Sequence, residues 1–146
     1  MEQIQKTYVF DFDSTLTRVE ALDVLAEITL ANNPQKDKII KKIIEITNKG
    51  IDGDISFTDS LDSRIKLLNA SKSDLILLTE RLKDKVSKSI IENKQFFEDY
   101  ANDIYVISCG FKEFIDPIVA EYNIPSDRVF ANTFVFDNED NIIGFD

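Results

Sequence analysis

The stretch "YVFDFDSTLT", Tyr8 to Thr17, sets two carboxylates two residues apart directly after an aromatic and branched run, and follows them with three hydroxyls. A carboxylate at a strand end can attack phosphorus to give an aspartyl phosphate. A second carboxylate nearby can protonate the leaving oxygen and later activate water. One aspartate is poorly suited to both tasks, and Asp11 and Asp13 offer the pair. If the strand stays extended, both side chains leave one face; if the chain turns after Asp11, they diverge modestly. Hard carboxylate oxygens also suit Mg2+, which is wanted where an anionic nucleophile meets an anionic phosphate. The plain alternative is a capping or turn pair, since Asp and Ser favour such positions after a strand.

Composition narrows the chemistry further. The chain has 146 residues, enough for one modest domain or a small core with an insertion. With 27 acidic against 17 basic side chains the formal charge is -10, which repels phosphodiester backbones and anionic lipid, so neither nucleic acid nor membrane is an expected partner. An anionic ligand needs a local reversal of that potential. No histidine is present, so imidazole bases and a Ser-His-Asp hydrolase are excluded. The single cysteine, Cys109, has no internal disulfide partner, and "MEQIQK" has neither a signal pattern nor a spanning stretch, so a cytoplasmic setting is expected.

The elements that must position these groups follow from periodicity. Lys6 to Asp11 reads as a short buried strand ending at the aspartates. From Glu20 to Val86 the apolar spacing is helical: Leu22, Leu25 and Ala26 line one side of a first helix, and Ile39, Ile40, Ile43 and Ile44 line a second, with Gly50 as its stop. "FTDSLDSRIKLL" and "SDLILLTERLKDKV" predict two more helices, the last capped by Ser73. The lysine run "KDKIIKKII" reads as a solvated helix face. Strand character returns at Asp103 to Ser108, then a helix from about Lys112 to Tyr122 stopped by "NIPSD". "RVFAN" predicts a strand and "TFVFDNEDNIIGF" a hairpin with "DNEDN" as its turn. The fold class is α/β, with ligands expected at the carboxyl ends of the strands, where Asp11 and Ser108 both sit.

Ser108 with the N–H groups of Cys109 and Gly110, read as opening the next helix, forms the expected electropositive pocket. An ordinary strand-end hydroxyl is the alternative for Ser108. A thiolate phosphatase built on Cys109 needs an arginine a few residues on, and "CGFKEFID" offers only Lys112, so Cys109 reads as small filler.

Together, "DFDSTLT", the glutamate of "TRVEALDVLA", the segment "FTDSLDSR" and "SCGF" resemble the signatures of the haloacid dehalogenase (HAD) superfamily, in its phosphoserine phosphatase branch. The resemblance implies a Rossmann-like α/β core with a C-terminal hairpin, residues 1–19 and 87–146, and a helical-bundle cap inserted after the first strand, residues 20–86. It implies Asp11 as nucleophile, Asp13 as acid/base, both as Mg2+ contacts, and Ser108, Cys109 and Gly110 on the phosphoryl group. Glu20 would meet the substrate's amino group and Arg64 its carboxylate. By themselves Glu20 and Arg64 read as solvated helix residues.

The family's third signature, a lysine, and its fourth, an acidic turn, do not occur in these 146 residues. The implied consequence is an incomplete magnesium shell, weak metal affinity, and reduced or absent turnover, since losing one stabilising donor costs about 100-fold. The expected function is therefore a Mg2+-dependent phosphomonoester hydrolase acting on a small phosphorylated metabolite such as phosphoserine. The alternative is a non-catalytic phosphate-metabolite-binding or interaction module. A receiver domain fits poorly, because it has no helical insertion after its first acidic strand. The first strand is expected to lie at an exposed apolar edge, a template for self-association.

Overall fold

The structure is a computed structural model that describes residues 3–146. The chain forms two compact units: one holds the chain up to Ala21 together with Thr79–Thr133, and the other holds Leu22–Leu78 and Phe134–Asp146.

The first unit is built on three parallel strands, β1 (Tyr8–Phe10), β2 (Ile104–Phe111) and β3 (Val129–Asn132), in the order β1-β2-β3. Phe10 registers with Val106, and Val106 with Val129. The crossover from β2 to β3 carries a helix over Lys112–Val119, where Phe114, Ile115, Ile118 and Val119 recur at helical spacing and are all buried. Two short helices, Lys88–Glu92 and Lys94–Asp99, precede β2.

The strand expected over Lys6 to Asp11 is only three residues long. It is also less buried than expected: Val9 is 58% exposed, as are Ile107 and Phe130 at 55% each. β1 is an edge strand, paired with β2 alone among the described residues.

The second unit contains most of the expected helices, the last of them passing into the first unit at Thr79. Numbered through the whole chain, α1 is Ala21–Thr29, starting at the last residue of the first unit, α2 Lys36–Ile51, α3 Phe57–Leu68 and α4 Lys72–Lys83. The helices already described become α5, α6 and α7. The isoleucine face of α2 is only half sequestered, with no buried residue on that helix and Ile44 55% exposed. The cap of α4 is Ser71 rather than Ser73. The Ser71 N–H and hydroxyl both donate to Asp74 Oδ2, at 2.9 and 3.0 Å, the acidic half of a capping box placed two residues earlier than the hydroxyl spacing suggested.

The C-terminal hairpin, β4 (Phe134–Phe136) and β5 (Ile142–Phe145), groups with these helices, whereas the sequence reading placed residues 87–146 with the α/β part. Its bonds explain the alliance. Ile142 N donates to Ala70 O at 2.9 Å and Lys72 N to Asp140 O at 3.0 Å, so the turn continues a short ladder against the α3–α4 link. Asp137 shapes that turn by accepting from the N–H groups of Asn141 and Glu139 and from the Asn141 amide. These bonds, the Asn141 backbone N–H foremost, lower the pKa of Asp137. A carboxyl depressed on folding contributes stability above its unfolded value and loses it as pH falls through the folded value. Acidification below the ordinary carboxylate range is therefore expected to raise amide exchange at Asn141 and Ile142 before the α/β unit responds; equal protection down to pH 2 would contradict this.

Gly50 sits near the end of α2 without stopping it, since the helix runs on to Ile51. Its role is steric. A Cβ there would lie 2.7 Å from Ser60 Oγ and 2.8 Å from Ser60 Cβ, and Ser60 is itself buried, donating to Ile46 O. Gly50→Ala is expected to lower stability by about 1–3 kcal/mol through overpacking, and Ser60→Gly added to it should recover most of the loss in denaturant melts.

Among the described residues no helix is long and apolar enough to cross a membrane.

Candidate active site

Asp11 immediately follows β1 in extended backbone, φ -77° and ψ 165°, and accepts the Phe12 N–H on its own Oδ1 at 2.6 Å. The chain then makes one wide turn over Phe12–Leu16, closed by Thr17 N on Phe12 O at 3.1 Å. The ring of Phe12, fully buried and 6.0 Å from that of Phe114, anchors the turn. Of the two arrangements open to the sequence, the chain takes the turning one.

Asp13 is held on the far side of this turn. Its Oδ1 accepts the Ala21 N–H at 2.7 Å, so the second carboxylate meets the first residue of α1. A Cβ placed on Gly110 would lie 3.0 Å from Asp13 Oδ2 and 3.1 Å from Ser108 Oγ. Asp13 and Ser108 therefore crowd the same patch of β2 backbone, where a side chain at position 110 would press on both. Asp11 lies one residue beyond Phe10, the end of β1, and Ser108 lies on the neighbouring β2, two residues beyond Val106, the register partner of Phe10.

The pocket at "SCGF" differs from the expected helix mouth. β2 runs on through Phe111, and α7 starts only at Lys112. Cys109 and Gly110 thus do not open the helix. They belong to an irregular stretch of β2, where Ser108, Cys109 and Gly110 stand opposite Ala131 alone, between the pairs Ile107 with Phe130 and Phe111 with Asn132. The Gly110 N–H is spent on Ser108 Oγ at 2.9 Å, and Asn132 Nδ2 holds Cys109 O at 2.9 Å. The swelling of the strand, more than a helix dipole, presents the Ser108 hydroxyl. The Lys112 ammonium is bound to Ser126 O at 2.6 Å and Val129 O at 3.0 Å.

Glu20, exposed, precedes α1 in the same unit, and its Oε1 accepts the Ser14 hydroxyl at 2.6 Å. Arg64, on α3, belongs to the helical unit, and its Nε donates to Ser60 O one turn back at 3.3 Å. The hydroxyls of the opening motif divide their tasks: Ser14 engages Glu20, while buried Thr17 donates to Val19 O at 2.9 Å. Sequence reasoning missed Ser14 and Asn132. The run of hydroxyls after Asp13 was the available signal for the first, and nothing local marks the second.

Among the described residues no three acidic, histidine or cysteine side chains gather as a metal-binding group. The oxygens of Asp11 and Asp13 suit magnesium in kind but fall short of its octahedral shell in number.

No protein-family model matches the chain. Over 137 residues, 94% of its length, it is 31% identical to the chloroplastic phosphoserine phosphatase of Arabidopsis thaliana. A phosphoserine phosphohydrolase-like protein from Francisella tularensis superimposes on 97% of the chain with a TM-score of 0.79 and 31% identity. Over nearly its whole length the chain is similar to proteins of the phosphoserine phosphatase-like branch of the HAD superfamily. The phosphoserine phosphatase of Rattus norvegicus is a further relative, 28% identical over the same length. The chain spans about half the length of these curated relatives, 44% of the plant and 57% of the rat protein, and 64% of the Francisella chain. The α/β class with its parallel sheet, expected from the sequence, is the architecture of this branch.

Proposed function

We propose that the protein is a phosphomonoester hydrolase working through an aspartyl phosphate, on a small metabolite such as phosphoserine. The observation that carries this reading is the meeting of Asp13 and Ser108 beside Gly110 of β2, the strand that pairs with β1, which Asp11 directly follows. An oxygen of Asp11 attacks phosphorus, the ester P–O bond breaks, and Asp13 gives the leaving oxygen its proton. Asp13 then takes a proton from water, whose oxygen attacks phosphorus; the acyl phosphate opens, returning the Asp11 carboxylate and inorganic phosphate. The Ser108 hydroxyl donates to a phosphoryl oxygen throughout. The Ala21 N–H keeps the Asp13 carboxyl in one orientation for both transfers. Glu20 receives the substrate's ammonium and Arg64 its carboxylate, both assignments resting on the family resemblance. Mg2+, where bound, would be held by Asp11 and the Asp13 carbonyl, with water completing its shell, and would offset repulsion between nucleophile and phosphate.

Phosphate release from a panel of phosphomonoesters with and without Mg2+ tests the reading. Turnover fastest with phosphoserine supports it, and no turnover of any ester would remove the hydrolase assignment. The binding-module reading retains a specific motive, the absence of a metal-binding trio among the described residues together with the engagement of Lys112 by backbone carbonyls. Calorimetric titration separates the two: heat on adding phosphoserine with no phosphate released favours a binder.

A further inference from the structure

The hydrogen bond between Ser14 and Glu20 has no part in the chemistry above, yet the backbone is contorted to make it. Ser14 stands at φ 55°, ψ 18°, left-handed space that residues with a Cβ rarely enter. Two bonds keep it there: its N–H donates to Val19 O at 3.1 Å, and its hydroxyl donates to Glu20 Oε1 at 2.6 Å. Together they close residues 14–20 into a ring whose two ends are the hydroxyl and the carboxylate. The next residue, Ala21, is tied to Asp13. Glu20 is exposed, and an exposed glutamate left to itself samples several rotamers.

We infer that Ser14 is a positioning residue that sets the ligand specificity of the site: its hydroxyl fixes Glu20 Oε1, so that Oε2 stands ready for a substrate ammonium beside the phosphoryl position. This rests on the proposed function, which assigns Glu20 to the substrate's amino group, and adds the group that holds it. A carboxylate already held by a short charge-assisted bond loses less freedom when a cation arrives, and discriminates more sharply against ligands without one.

The test is calorimetric, with the unmodified protein, Ser14→Gly, Ser14→Ala and Glu20→Gln, each titrated with phosphoserine and with 3-phosphonooxypropanoate, the same molecule without its ammonium. The quantity read is the ratio of the two dissociation constants within each protein, which a general loss of structure does not move. The unmodified protein should prefer phosphoserine, and both Ser14 variants should lose about tenfold of that preference, approaching Glu20→Gln. Glycine suits the left-handed backbone, so Ser14→Gly should melt no lower than the unmodified protein while its selectivity falls; if Ser14→Ala does not fold, Ser14→Gly decides alone. Retained preference in Ser14→Gly with preference lost in Glu20→Gln overturns the role of Ser14 and leaves the proposed function standing. An unmodified protein that binds neither ligand, or both equally, overturns the ammonium-binding assignment of Glu20 and this inference with it.

Discussion

Replacing Asp11 by asparagine is expected to lower phosphomonoester turnover by about 10^4-fold or more while leaving the fold intact, because under the proposed mechanism it removes the nucleophile. The substitution is nearly isosteric. An asparagine Oδ1 can still accept the Phe12 N–H that Asp11 takes at 2.6 Å, so the wide turn over Phe12–Leu16 keeps its entry geometry. What is lost is the anionic oxygen one residue past the β1 register with β2. Rapid acid quenching after mixing with labelled substrate should trap phosphate on the unmodified protein in a linkage cleaved by hydroxylamine, as an acyl phosphate is, and none on Asp11→Asn. A variant that melts like the parent and retains turnover within tenfold would remove Asp11 from the nucleophile's role.

Asp13→Asn should separate the two halves of the reaction. An asparagine oxygen can continue to accept the Ala21 N–H held at 2.7 Å, so α1 should start where it does now. Proton transfer is lost, at a cost of about 10^2 to 10^4-fold in steady-state turnover of phosphoserine, whose alkoxide leaving group needs a proton. A p-nitrophenolate leaves without one. With p-nitrophenyl phosphate, therefore, the variant should release one equivalent of phenol per site in a burst and then stall, since hydrolysis of the acyl phosphate still needs a base. Equal losses on both substrates, with no burst, would mean that Asp13 acts only by holding the turn.

The two predictions differ in how much of their basis was readable from the chain. The pairing of Asp11 with Asp13 after an apolar run, and the hydroxyl at "SCGF", are contiguous patterns whose meaning depends on residue type and spacing alone. The helices from Ala21 to Lys83 were legible for a similar reason, since a period near 3.6 is written into the order of the apolar residues. The cap of α4 was misplaced by two residues because Ser71 and Ser73 are equally good hydroxyls locally, and only the position of Asp74 chooses between them. The amides of Cys109 and Gly110 read as a helix mouth because strand character in the sequence stops at Ser108 and a helical pattern follows; pairing with Asn132, a residue far along the chain, carries β2 on to Phe111 instead.

By itself, then, the sequence determined the chemistry available to this protein: two aspartates at a strand end, a serine on the neighbouring strand, no imidazole, and an alternation of strand and helix that makes a parallel sheet with a helical insertion. Tertiary structure alone decided how those groups are held. Gly110 is small because Asp13 and Ser108 meet over it, Gly50 because Ser60 crosses it, and the hairpin joins the helices because Ala70 and Lys72 offer it a ladder. The physical reason is common to all three. Residue type and spacing act along the chain and can be read there, whereas steric exclusion and the pairing of distant backbone groups exist only once non-adjacent segments share the same space.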